Sequence, residues 1–105
     1  MKKTAKIVAC IYFAALPGLA EQHEITQSKR AFSQTDITIK VGDSITFHNA
    51  DDVTHNVFSV SPGMEFDIRR QAPGGSSKIS FNHEGVAEVR CSIHPKMKLM
   101  VNVKK

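Results

Sequence analysis

The run Ala87-Glu88-Val89-Arg90-Cys91-Ser92-Ile93-His94-Pro95-Lys96-Met97-Lys98-Leu99-Met100-Val101-Asn102-Val103 reads as strand, loop, strand. Ala87, Val89 and Cys91 alternate with Glu88 and Arg90, the period-two pattern of a half-buried strand with its small apolar residues on the core side. Leu99, Val101 and Val103 repeat that pattern after the loop. Cys91 therefore points inward where the first strand ends. Between them, Cys91, His94 and Met97 stand three residues apart, a spacing that would also suit neighbours on a helix. Pro95 argues for a tight loop instead, because a proline drives the residue before it, His94, away from helical dihedrals.

Upstream, short apolar alternations separated by turn residues continue. Ile37, Ile39 and Val41 lead through Gly42-Asp43-Ser44 to Ile45-Thr46-Phe47, which reads as a hairpin ending in the polar loop His48-Asn49-Ala50-Asp51-Asp52. His55 to Val60 reads as a short strand with Phe58 and Val60 on one face, closed by Ser61-Pro62-Gly63. The stretch from Met64 to Ser77 is the least regular and is expected to be a long loop with a short strand at Glu65 to Ile68. Lys78 to Phe81 is a strand with Ile79 and Phe81 inward, and Asn82-His83-Glu84-Gly85 turns the chain into the strand that ends at Cys91. Gln22 to Phe32 reads as an edge strand with a loose continuation. Seven or eight short strands, with turn signals every eight to twelve residues and no helical period, describe an all-β sandwich or small barrel.

The first twenty of the 105 residues read as a secretory signal peptide. Lys2, Lys3 and Lys6 precede the apolar run Ile7 to Leu16, and Pro17-Gly18-Leu19-Ala20 supplies small residues before a cut at Ala20. That apolar run falls short of the roughly 20 residues of a membrane-spanning helix. Ile7-Val8-Ala9-Cys10 resembles a lipoprotein processing box, but too few apolar residues precede Cys10 for that reading. The expected domain is then residues 21–105, exported and periplasmic. The leader holds three of the four net positive charges, so the exported part is near +1 and carries no polybasic run calling for nucleic acid. With Cys10 gone, Cys91 is the only thiol, which excludes a disulfide within the chain.

A buried cysteine alone is usually a small hydrophobe, and a methionine alone is usually a core filler. Joined as Cys91, His94 and Met97 in an exported β-domain, they form a soft donor set suited to copper; the methionine speaks against zinc. A further donor must come from His23, His48, His55 or His83. His55 is best placed, opening a strand just after the Asp51-Asp52 loop, whereas the parity of His48 points it outward; His23, His48 and His83 read as surface histidines.

Three stretches carry a resemblance to a known family: Ile39 to Asn49, His55-Asn56-Val57-Phe58, and Gly85 to Met97. The chain resembles the cupredoxins, small type 1 blue copper proteins, and its short ligand loop is most similar to that of amicyanin-like and plastocyanin-like members. The resemblance implies a Greek-key β-sandwich holding one copper ion, Cu(I) or Cu(II), through His55, Cys91, His94 and Met97 as weak axial ligand. It also implies that Asn56 ties the two ligand loops together, and that the edge of His94 is exposed in an apolar patch where redox partners dock. Pro95 and Pro62 are candidates for that patch, rimmed by Lys96 and Lys98; Lys96 stands where amicyanin-like members carry an aromatic residue.

The leading expectation is a monomeric shuttle of single electrons, not an enzyme, between a donor and an acceptor such as a dehydrogenase and a cytochrome c. The alternative is a module for copper storage or delivery. A third class, a Cys-His enzyme with His94 activating Cys91, lacks an orienting third residue in the sequence.

Overall fold

Alternation carries most of the chain into strands, and the register decides which end of the molecule receives the ligand loop. The structure, a computed structural model, describes residues 19–105. The leader expected over residues 1–20 lies, but for its last two residues, outside them. The strands are β1 (Gln22–Ser28), β2 (Ala31–Phe32), β3 (Asp36–Lys40), β4 (Ser44–Asn49), β5 (Phe58–Ser59), β6 (Phe66–Asp67), β7 (Ser76–Ser80), β8 (Gly85–Arg90) and β9 (Lys98–Lys104). They form a β-sandwich of two sheets, ordered β2-β1-β4-β7 and β3-β9-β8-β5-β6.

The inward positions fill the space between the sheets. Ile25, Ile45 and Phe47 from one sheet meet Ala87, Val89, Leu99, Val101 and Val103 from the other, with Phe81 and Val57 between them, all essentially buried. Burying a side chain of Val, Leu, Ile or Phe size is worth about 1.5–3 kcal/mol each, so this layer dominates the stability of so small a domain. β8 and β9 pair antiparallel from Gly85↔Val103 to Arg90↔Lys98, so Cys91 to Met97 form the closed tip of a hairpin.

Three expectations need correction. Ile37 to Phe47 is not a hairpin: β3 pairs in parallel with β9 in one sheet, and β4 pairs with β1 and β7 in the other. Gly42, at φ 96°, lets the turn cross between the sheets while Val41 N–H donates to Lys104 and Gly42 N–H to Phe81. Alternation of Ile39 and Ile45 cannot separate the two cases, since both residues face the core either way. Around β5 the inward set is His55, Val57 and Ser59, while Phe58 is half-buried and Val60 is 77% exposed, the reverse of the expected face. Finally, β1 is interior to its sheet; the edge is the two-residue β2, reached through a tight turn at Lys29-Arg30.

Candidate metal centre

β8 delivers Cys91 to the end of the sandwich fully buried, and the loop then brings His94 back beside it. Met97 N–H donates to the His94 carbonyl at 3.0 Å, closing a turn with Pro95 at its second position, where a fixed φ is favourable. Met97 is buried in that loop. His55 arrives from the other side of the sequence. Its backbone is locked to Gln71 by a reciprocal pair of hydrogen bonds, 3.0 and 2.8 Å, and its ring is fully buried.

The result is a triangle of donors. Cys91 Sγ lies 3.8 Å from His55 Nδ1 and 3.9 Å from His94 Nδ1, and the two Nδ1 atoms are 3.2 Å apart. A point equidistant from these three atoms lies about 2.1 Å from each, within the range of metal–nitrogen and metal–sulfur bonds. Asp51 Oδ2 stands 3.0 Å from His55 Nε2. An ionised carboxylate only accepts, so Nε2 carries the ring hydrogen and Nδ1 turns its lone pair toward the sulfur. The His55 ring, followed by the Arg30 backbone N–H at 2.8 Å, holds the Asp51 carboxyl well below the usual carboxylate range. Lone pairs converging in a buried space repel unless a cation lies between them, and this soft N,N,S donor set fits copper.

Asn56 braces the centre from both ends. Its backbone N–H points at Cys91 Sγ, 3.3 Å away, and its side-chain oxygen accepts from Ser92 N–H at 3.2 Å. Its amide nitrogen donates to Asp67 Oδ1 at 2.8 Å and to the Arg69 carbonyl at 2.9 Å. The bridge between the two ligand loops is thus present as the resemblance implied.

The structure brings His55, Cys91, His94 and Met97 to one end and leaves the other histidines elsewhere. His48 faces outward and bonds Ser76 through its ring, and His83 is exposed beside Gly63. His23 is more than a surface residue: it bonds Asp43 at 3.0 Å, and Asp43 also takes the N–H groups of Glu21 and Lys40. With the carboxylate filled in this way, the Glu21, His23 and Asp43 cluster serves as a brace between β1 and the β3–β4 turn. Pro62 does not line the recess around His94, which Arg30, Ile93, Pro95 and Lys96 form. Lys98 is paired, 3.9 Å from Glu88, which also holds Arg90 at 3.3 Å.

The sequence reading missed Asp51 and Gln71 as supports of His55, and Asn49, whose amide donates to the carbonyls of Val53 and Gln71. A carboxylate four residues before a ligand histidine was the one available signal; nothing in the sequence marks Gln71.

Residues 20–104 match the family model of copper binding proteins, plastocyanin/azurin family. The chain belongs to that family. This cupredoxin is 28% identical over 101 residues to methylamine utilization protein MauL of Methylorubrum extorquens, covering 95% of this chain and 89% of the relative. It is 30% identical over 98 residues to amicyanin-alpha of the same organism, covering 90% of this chain and 82% of the relative. Among solved structures, a purple cupredoxin from Nitrosopumilus maritimus superimposes with a TM-score of 0.70 at 26% identity, covering 78% of this chain and 99% of that one. The cupredoxin family binds one copper ion, and the donor triangle here has the size and chemistry to take it.

Proposed function

We propose that this protein is an exported carrier of single electrons, with His55, Cys91, His94 and Met97 as the ligands of one copper ion. The observation that carries the reading is the buried triangle of two imidazole nitrogens and a thiolate, already within bonding range of a common centre and braced by Asn56 and Asp51. Copper supplies a one-electron couple in such a site. The chain's own residues do the rest. The buried His55, just before β5, and Cys91, just after β8, hold two donors in place beside two paired strands, and the Asn56 N–H withdraws charge from the sulfur. A site that moves little when its charge changes exchanges electrons quickly.

His94 is the only one of the three triangle donors that is not fully buried, and it lies beside exposed Ile93 and Pro95. That edge is the proposed exit toward a redox donor and acceptor. The methylamine-utilization name of one relative and the amicyanin name of another support a place in a periplasmic electron-transfer chain.

The test is to add Cu(II) to the protein beginning at Glu21 and record visible and electron paramagnetic resonance spectra, then measure electron self-exchange. An intense blue or purple thiolate-to-copper band with fast self-exchange is expected. Copper that passes readily to a chelator while self-exchange is slow would turn the assignment to storage or delivery.

A further inference from the structure

We propose that the face around His94 docks an acidic protein surface, gripped by Arg30 and Lys96 on one flank and by Arg69 and Arg70 on the other. The inference rests on the electron-carrier reading and names the chemistry of the partner.

The backbone supplies the first observation. Among the described residues, Lys29, Arg30 and Arg69 are the non-glycine residues in the left-handed region, at φ 52°, 59° and 66°. Glycine, asparagine or aspartate relieves that strain, and a tight hairpin turn such as Lys29-Arg30 favours Asn-Gly. All three positions carry long cations instead. Both arginines are pinned in the same way. Arg30 N–H donates to Asp51 Oδ2 at 2.8 Å, and Asp51 holds His55. Arg69 N–H donates to Asp67 Oδ1 at 2.8 Å, and Asp67 holds Asn56. Each strained arginine is thereby tied to the frame of the metal centre.

Their placement is the second observation. Arg30 and Lys96 line a shallow recess with Ile93, His94 and Pro95. Arg69 and Arg70 line the next one, sharing Ile93 with the first. The apolar contact at the electron exit therefore has a cationic group on each side. Among the described residues, none of these four cations takes part in an ion pair, whereas Arg90 and Lys98 share Glu88. Asp51, Asp52 and Asp67 lie nearby and keep their charge, Asp51 and Asp67 accepting the hydrogen bonds above, so four cations stand against three carboxylates on this face. Free cations flanking an apolar patch complement a partner whose carboxylates surround its own redox centre, and they steer encounter at low salt.

The test uses the copper-loaded protein and two kinds of readout. Reduced protein is mixed by stopped flow with hexacyanoferrate(III) and, separately, with tris(phenanthroline)cobalt(III). In each case one electron leaves the protein and reduces the oxidant by one unit. The anionic oxidant is expected to slow roughly tenfold as salt rises from low to high, and the cationic one to speed up. Arg30→Gln/Arg69→Gln should remove most of the salt response at unchanged visible spectrum, while Lys104→Gln at the opposite end of β9 should not. Independently, a hexaglutamate peptide titrated into the Cu(I) protein should shift the amide resonances of Ile93, Arg30 and Arg70, and the double variant should abolish those shifts. Equal salt responses for both oxidants, or peptide shifts away from the ligand loop, overturn the docking proposal alone. Binding to vesicles of anionic lipid with no response to hexaglutamate overturns it in favour of a membrane surface. If copper binds and neither oxidant reacts, the carrier reading fails and the docking proposal with it.

Discussion

The backbone N–H of Asn56 points at the sulfur of Cys91 from 3.3 Å, across 35 residues of sequence, while the Asn56 side chain spans from Ser92 to Asp67 and the Arg69 carbonyl. One residue thus fixes the thiolate and both loops around it. Replacing Asn56 with alanine leaves the backbone contact but removes three partly buried hydrogen bonds, to Ser92, Asp67 and the Arg69 carbonyl. A loss of about 2 kcal/mol is expected, at roughly 0.5–1.5 kcal/mol for each hydrogen bond lost. For a domain of this size that lowers the thermal midpoint by about 10 °C, measured on metal-free protein by circular dichroism.

Asp51 fixes the His55 ring from behind, with its carboxylate 3.0 Å from Nε2. Asp51→Asn removes a negative charge from beside a ligand, so the more positive oxidised site loses stabilisation. The reduction potential should rise by voltammetry, and Cu(II) affinity should fall about 10- to 100-fold in a competition titration. An unchanged potential would mean that the carboxylate only positions the loop.

Cys91→Ala should abolish the intense visible band on Cu(II) addition, leaving at most a weak nitrogen-ligated signal. Met97→Gln should keep a modified coloured site at a lower potential, because an amide oxygen favours Cu(II) over Cu(I) more than a thioether does. Optical titration paired with voltammetry reads both.

Acid should loosen the end of the molecule opposite the ligand loop. Burial pushes the Asp43 carboxyl upward, but the N–H groups of Glu21 and Lys40 and the His23 ring outweigh it, so its pKa falls below the ordinary 3.8. A folded-state pKa below the unfolded one gives stability that is present above about pH 4 and is lost as pH falls through the folded value. Urea midpoints between pH 7 and pH 2.5 should drop in the wild type, and Asp43→Asn should make the acid limb shallower, Asp51 and Asp67 supplying the rest, while starting lower at pH 7.

The turn between β1 and β2 should trade stability for charge. Lys29→Asn/Arg30→Gly places the residues that its left-handed geometry favours, which is expected to gain about 1 kcal/mol after the added freedom of the unfolded glycine is subtracted. The thermal midpoint should rise by about 5 °C on that basis.

The ligand loop was legible because Ala87, Val89 and Cys91 alternate up to it, and because Pro95 forbids a helix through it. That settled which strands meet at the loop and which way Cys91 points. The β3–β4 connection was not legible, since a hairpin and a crossing between sheets bury the same alternate residues; only the hydrogen-bond partners of Val41 and Gly42 separate them. Phe58 was placed inward on hydrophobicity, whereas parity with the inward ligand His55 gives Val57 and Ser59. Asp51 and Gln71 went unread because their roles come from contacts made only when distant loops meet.

β9, the last strand, lies in the interior of its sheet, between β3 and β8. The tip that carries His94 and Met97 is closed only where β9 pairs with β8, so the spacing of the donors depends on a strand that follows all of them in the sequence.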